Sequence, residues 1–178
     1  MTIIFTQEEY EMLMRYAIQY CAGRQTCMPS LILEIFKKNE QKISRSYADI
    51  LSNDLETKIA YKSKKLPLSD RRIWEEYVTQ LSNVTKESSD NTFELEQSDA
   101  ETLIVCALRA ILEIKTTIAD SEKIVKTIEN HKSEISENRK NIYIRDIQDG
   151  IEFLYNYDLK SNNPRIVLLK KLLNMLNH

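Results

Sequence analysis

An all-α fold of about eight helices in two four-helix lobes is the architecture this sequence predicts, and three observations carry that expectation. The chain holds two glycines and three prolines in 178 residues. A β-sandwich or an α/β enzyme of this size needs many more turn glycines, and a phosphate-cradling loop needs several together. Apolar residues recur at spacings of three and four between capping signals, the period of a helix with one buried face. A polar Ser/Asn/Asp-rich stretch then divides the chain into nearly equal halves.

Helix-start signals punctuate the sequence. Thr6-Gln7-Glu8-Glu9 reads as a capping box opening a helix near 6–22, on the stripe Tyr10, Leu13, Met14, Ala17 and Cys21, with Gly23 as its left-handed stop. Pro29 stands at a first-turn position for a helix near 29–38, and a third follows near 45–62. Ser69 before Asp70 caps a fourth near 69–82, which carries Ile73, Trp74, Tyr77 and Leu81. Ser98-Asp99-Ala100-Glu101 reads as a second capping box, for a helix near 98–116 on Leu103, Ala107, Ala110, Ile111 and Ile114. Ile118, Val125 and Ile128 mark a sixth near 118–131. Ser136 before Glu137 opens a seventh near 136–158, with Ile144, Ile147, Ile151 and Leu154 as its core face. Asn163 capping Pro164 opens the last, near 163–177, on Ile166, Leu169, Leu172, Leu173 and Leu176.

These signals divide the chain into an N-terminal lobe 1–85, an acidic polar linker 86–97 and a C-terminal lobe 98–178. Sliding the second half on the first by about 90 residues brings capping box near capping box and pairs Ala17 with Ala107 and Thr26 with Thr116. One reading is a single irregular bundle whose amphipathic halves match by chance, and the other is a degenerate duplication.

Composition narrows function mainly by exclusion. No run of about 18 apolar residues occurs, so no membrane span is expected. The N-terminus Met1-Thr2-Ile3-Ile4-Phe5 lacks a basic flank and turns polar at Thr6, unlike a secretory signal. Three cysteines, an odd count, read as free thiols of a cytoplasmic protein. The two histidines, His131 and His178, are far apart in sequence, and neither His-x-x-x-His nor Cys-x-x-Cys occurs, so no metal and no cofactor is expected. Cys27, in the loop-like Gly23–Pro29 segment, reads as a small half-buried hydrophobe rather than a nucleophile. Carboxylate pairs such as Asp146 with Asp149, Asp149 with Glu152, and Glu75 beside Glu76 read as solvated helix faces. No Walker or dinucleotide-binding motif is present. The expectation is a chain that is not an enzyme and takes no small-molecule substrate.

Charge is uneven along the chain. Residues 1–85 carry 12 basic and 11 acidic side chains, and residues 105–178 carry 12 and 10. Residues 86–104 set Lys86 against six acids. The best basic run, Lys58, Lys62, Lys64, Lys65, Arg71 and Arg72, suits a helix end as well as a phosphate backbone. The most informative segment is the seventh helix. Opposite its core stripe lie Ile142, Asp146, Asp149, Phe153 and Tyr157, aromatics among acids where solvent is expected. One reading buries this helix on two sides; the other makes an acidic-aromatic docking surface. Glu94, Glu96 and Asp99, with Phe93 and Leu95 between and beside them, extend that character to the linker.

In general style the chain resembles the immunity proteins of bacterial contact-dependent inhibition and related polymorphic toxin systems. Arg15-Tyr16-Ala17 and Ala22-Gly23-Arg24-Gln25-Thr26-Cys27-Met28-Pro29 look like a segment of small phage and bacterial proteins. The resemblance implies a cognate toxin as partner, covered by carboxylates that stand in for phosphates. From the residues, two other functions stay open: a helical nucleic-acid-associated regulator using Lys58–Arg72, and a helical adaptor.

Overall fold

The computed structural model describes residues 1–21, 29–62, 68–85, 91–157 and 159–178, with side chains described except at 41, 58, 60–62 and 68–70. Eight α-helices dominate these residues: α1 (Gln7–Cys21), α2 (Pro29–Asn39), α3 (Arg45–Lys62), α4 (Leu68–Ser82), α5 (Gln97–Leu112), α6 (Ile118–Asn130), α7 (Glu137–Asn156) and α8 (Pro164–Leu176). All eight expected helices form, and the architecture is predominantly all-α.

Two strands are additional to the expectation. β1 (Thr2–Thr6) and β2 (Thr92–Glu96) pair in a two-stranded sheet, each with its second and fourth residues buried. The pairing is antiparallel: the Gln97 amide donates to the Met1 carbonyl at one end, and the Asn91 amide donates to the Gln7 side chain at the other. Ile3, Phe5, Phe93 and Leu95 are all at most 2% exposed. The sequence Thr92-Phe93-Glu94-Leu95-Glu96 alternates with a period of two, the signature of a half-buried strand. Residues 91–97 are therefore not a polar linker, because their apolar residues belong to the core. Residues 86–90 lie outside the described residues.

The chain divides into two compact units, Ile4–Glu94 and Met1–Ile3 together with Leu95–His178. Each is built from the same series: a helix, a second helix, a short 3-10 turn (Glu40–Lys42 or Lys132–Glu134), then two more helices. In the first unit α1 packs on α2 and α3, and α4 on α2 and α3; in the second α5 packs on α6 and α7, and α8 on α6 and α7. Thr2, Gln7, Glu11, Leu13 and Ala17 recur 90 residues later as Thr92, Gln97, Glu101, Leu103 and Ala107. Ile32, Ile43, Ser44 and Asp54 recur 92 residues later as Ile124, Ile135, Ser136 and Asp146.

Several of these shared residues carry equivalent bonds. Glu11 Oε1 accepts the Ser44 amide at 3.1 Å, at the start of α3; Glu101 Oε1 accepts the Ser136 amide at 2.7 Å, at the start of α7. A carboxylate from the first helix thus satisfies an orphan donor at the positive end of the third. Asp54 is paired with Arg15 at 3.0 Å, and Asp146 with Arg109 at 2.7 Å. The two units thus share an element order and several bonds, at an offset of 90 residues up to Ala17 and of 92 from Ile32 on.

Of the expected side-chain caps, those of Thr6 and Asn163 form, while Ser136 stands at the N-cap of α7 without a side-chain cap bond. At α1, Thr6 and Glu9 exchange bonds: the Thr6 amide donates to Glu9 at 3.0 Å and the Glu9 amide to Thr6 at 3.3 Å. Asn163 Oδ1 accepts from the Arg165 amide, with Pro164 at the first helical position. The Ser98–Glu101 box does not form. α5 begins two residues earlier than that box requires, at Gln97 rather than Asp99, and Glu101 is turned inward to the α7 terminus instead. The Gly23 stop and the Thr26–Thr116 match involve Gly23 and Thr26, and the Ser69–Asp70 cap rests on its side chains; all lie outside the described ones.

Candidate protein-docking surface

α5 and α7 run parallel: Glu101 reaches Ser136, Arg109 reaches Asp146, and Gly150 lies against Leu112. The C-terminal ends of both helices therefore lie at one end of the C-terminal unit. The starts of α6 and α8 are there too, because Arg165 bonds the carbonyls of Ile111 and Thr116. Apart from Met1, every exposed large hydrophobic residue described in this unit stands at that end: Ile114, Ile118, Phe153, Tyr155, Tyr157 and Val167. Singly such residues need no explanation, but their gathering at one end does.

The end is rigidly built. Arg165 is only 5% exposed, and its guanidinium donates to Thr116 Oγ1 at 2.7 Å, Ser121 Oγ at 3.0 Å and the Thr116 carbonyl at 2.7 Å. Above it Ile114 takes a φ of 58°, the left-handed region that a β-branched residue enters at a cost of roughly 1–2 kcal/mol. The Lys115 amide closes the helix end on the Ala110 carbonyl at 2.9 Å. Ile114 is thereby held outward, 49% exposed.

The outer face of α7 leads to this end. Tyr143, Ile147, Gly150, Ile151 and Leu154 are buried, so α7 has one core face rather than two. Phe153 and Tyr157 project to solvent, 48% and 65% exposed, with ring centroids 4.7 Å apart. Asp149 and Glu152 are exposed beside them, and neither has an ion pair among the described residues. Tyr155 lies on another side, with the Lys170 ammonium 5.6 Å from its ring.

The other expected site residues are placed differently. Asp146 is not a free carboxylate: its side chain is 14% exposed and bound to Arg109. Asp99 is 7% exposed, in the first turn of α5, where a carboxylate meets the positive helix end. Phe93 and Leu95 are core residues and cannot contribute to a surface. Glu94 and Glu96 are exposed on the outward side of β2. Glu96 adjoins Gln97, which bonds the Glu134 carbonyl just before α7. It is therefore about 24 Å along the α7 axis from Phe153 at 1.5 Å per residue, and the two do not form one site.

Arg145, Tyr155 and Val167 are surface residues that the sequence did not single out; Ile114 and Ile118, expected on the core stripes of their helices, are exposed instead, and Glu152 is solvated as expected. Arg145 was detectable, since it falls on the arc of the helical wheel centred on Asp149. The loop residues were not, because exposure at a helix end depends on how neighbouring helices stop. Of the basic run, the side chains of Lys58, Lys62, Lys64 and Lys65 lie outside those described, and Arg71 is paired with Glu75 at 2.8 Å. No described helix is long and apolar enough to cross a membrane. No family model, no curated protein and no solved structure matches this chain.

Proposed function

We propose that this chain is a non-enzymatic protein-binding module that docks a basic protein on the outer face of α7, and that the partner is a cognate toxin held inactive as immunity proteins hold theirs. The observation that supports this reading is the pairing of exposed Phe153 and Tyr157 with Asp149 and Glu152, two carboxylates without a counter-ion among the described residues. Large aromatic rings at a protein surface supply apolar area at little entropic cost, and they are enriched where binding energy concentrates. Unpaired carboxylates around them speed encounter with a cationic surface and fix the register of the complex.

The test is affinity capture with the tagged chain at moderate salt, followed by titration of the purified partner. The expected result is one stoichiometric basic protein whose activity is blocked. Phe153→Ala should weaken the complex by about 2 kcal/mol, and Asp149→Lys should slow association about tenfold, with both variants keeping the wild-type circular dichroism. Unchanged affinity in both variants would remove this face from the interface.

A further inference from the structure

The same face of α7 carries a charge order that matches itself. Arg145 is exposed and has no ion pair among the described residues, and Asp149, one turn later, is likewise exposed and unpaired. Within a helix a cation placed before an anion is the weaker order for an i,i+4 pair, and unlike Arg71 with Glu75, Arg145 makes no bond to Asp149. Ile142, Arg145, Asp149, Glu152 and Phe153 fall within an arc of about 100° on the wheel, half-buried Ile142 being the least exposed. Read from its N-terminal side, that arc runs apolar, cationic, anionic, aromatic.

We infer that this face pairs with the α7 of a second copy of the chain, antiparallel across a two-fold axis. That orientation sets Arg145 of each copy against Asp149 and Glu152 of the other, and Phe153 of each against the other's Ile142. A parallel pairing would bring like charges together, so charge alone selects the antiparallel form. The contact is one helix against one helix and is therefore small, weak and dependent on concentration. This inference rests on the reading of α7 as a docking face and adds its regulation. Self-pairing covers Asp149 and Phe153 until a tighter basic partner displaces the second copy.

Sedimentation equilibrium on the full chain, at low ionic strength and in the absence of any partner, tests it. A reversible monomer–dimer equilibrium is expected. Arg145→Asp and Asp149→Arg should each weaken the dimer at least about tenfold, equivalent to about 1.4 kcal/mol. Mixing the two variants should restore a dimer. The aspartate introduced in one copy then faces the arginine introduced in the other, and the native Asp149 of the first faces the native Arg145 of the second. A wild-type chain that stays monomeric, or variants that dimerise unchanged, or a mixture that shows no recovery, each overturns the inference. Such a result leaves the toxin-docking reading standing, since that reading is decided by the captured partner.

Discussion

In the N-terminal unit the core is built on aromatic rings; at the equivalent positions of the C-terminal unit the side chains are small or aliphatic. Tyr10, Phe36, Trp74 and Tyr77 are each at most 1% exposed, and their counterparts by element alignment are Ala100, Ile128, Leu169 and Leu172. Rings stack in the first unit, Tyr10 on Phe93 at 4.1 Å and Trp74 on Tyr77 at 5.7 Å. In the second, helices approach closely instead: a Cβ at Gly150 would stand 2.5 Å from Leu112 Cδ2. The units also differ in how they treat buried polar atoms. Tyr77 Oη and Gln80 Oε1 are buried without a hydrogen-bond partner among the described residues. Tyr143 Oη donates to the Glu101 carbonyl at 2.9 Å, and Arg165 is bonded several times over. The burial period is thus shared while side-chain volume is not, so pattern sets the fold and packing sets how firmly each copy is held.

Trp74 is the single tryptophan, so its fluorescence reports the N-terminal unit while far-ultraviolet circular dichroism reports both. Arg165→Met should have the largest effect on stability. It removes the arginine donor from the Thr116 carbonyl and from the Thr116 and Ser121 hydroxyls, at a cost of about 3 kcal/mol. The dichroism melt should shift down while the tryptophan transition stays in place. A tryptophan transition that falls equally would show one cooperative molecule and end the comparison of separate units.

Alkaline pH sharpens the same contrast. Burial pushes the Tyr47, Tyr77 and Tyr143 hydroxyls well above their usual value of 10.0; Tyr10 adds to the rise at Tyr47 and Tyr77, and Glu101 to that at Tyr143. Below pH 10 these phenols are neutral in both states and the shifts cost nothing. Above it the unfolded chain releases protons that the folded chain keeps, so stability falls as pH rises, by about 1.4 kcal/mol per pH unit for each phenol. The N-terminal unit holds two of the three. Its tryptophan signal should be lost at lower pH than the C-terminal helix signal, and the reverse order would refute the assignment.

Much of the fold was legible because helix signals are local. Thr6 with Glu9, Asn163 with Pro164, and the stripes on α1, α5 and α8 all act within a turn or two of sequence. The strands were harder to read. Thr92–Glu96 alternates, but its two acids match the acidity around them, and only the partner strand shows which residues turn inward. The repeat was half visible: the offset of 90 is in the sequence, yet Glu101 reads as a cap until Ser136 is seen against it. The exposed acidic-aromatic face of α7 was legible at Asp149, Phe153 and Tyr157 through periodicity alone. Asp146 was misplaced, since its neutralising Arg109 stands 37 residues away. No local pattern announces a pair at that distance.

The smallest effect is the most discriminating, because one substitution should change sign between the units. Tyr77→Phe removes a buried hydroxyl that has no hydrogen-bond partner among the described residues and leaves the ring stacks intact. Deleting such a group should be neutral or stabilise by up to about 1 kcal/mol. Tyr143→Phe deletes a hydroxyl that donates at 2.9 Å to the Glu101 carbonyl, so it should destabilise by about 1 kcal/mol. The ring volume is the same in both, so packing cancels and only hydrogen-bond satisfaction remains. Urea titrations of the two variants, read by tryptophan fluorescence for Tyr77→Phe and by dichroism for Tyr143→Phe, check the pair. If both lose stability equally, Tyr77 has a polar partner, and the N-terminal core is as fully satisfied as its repeat.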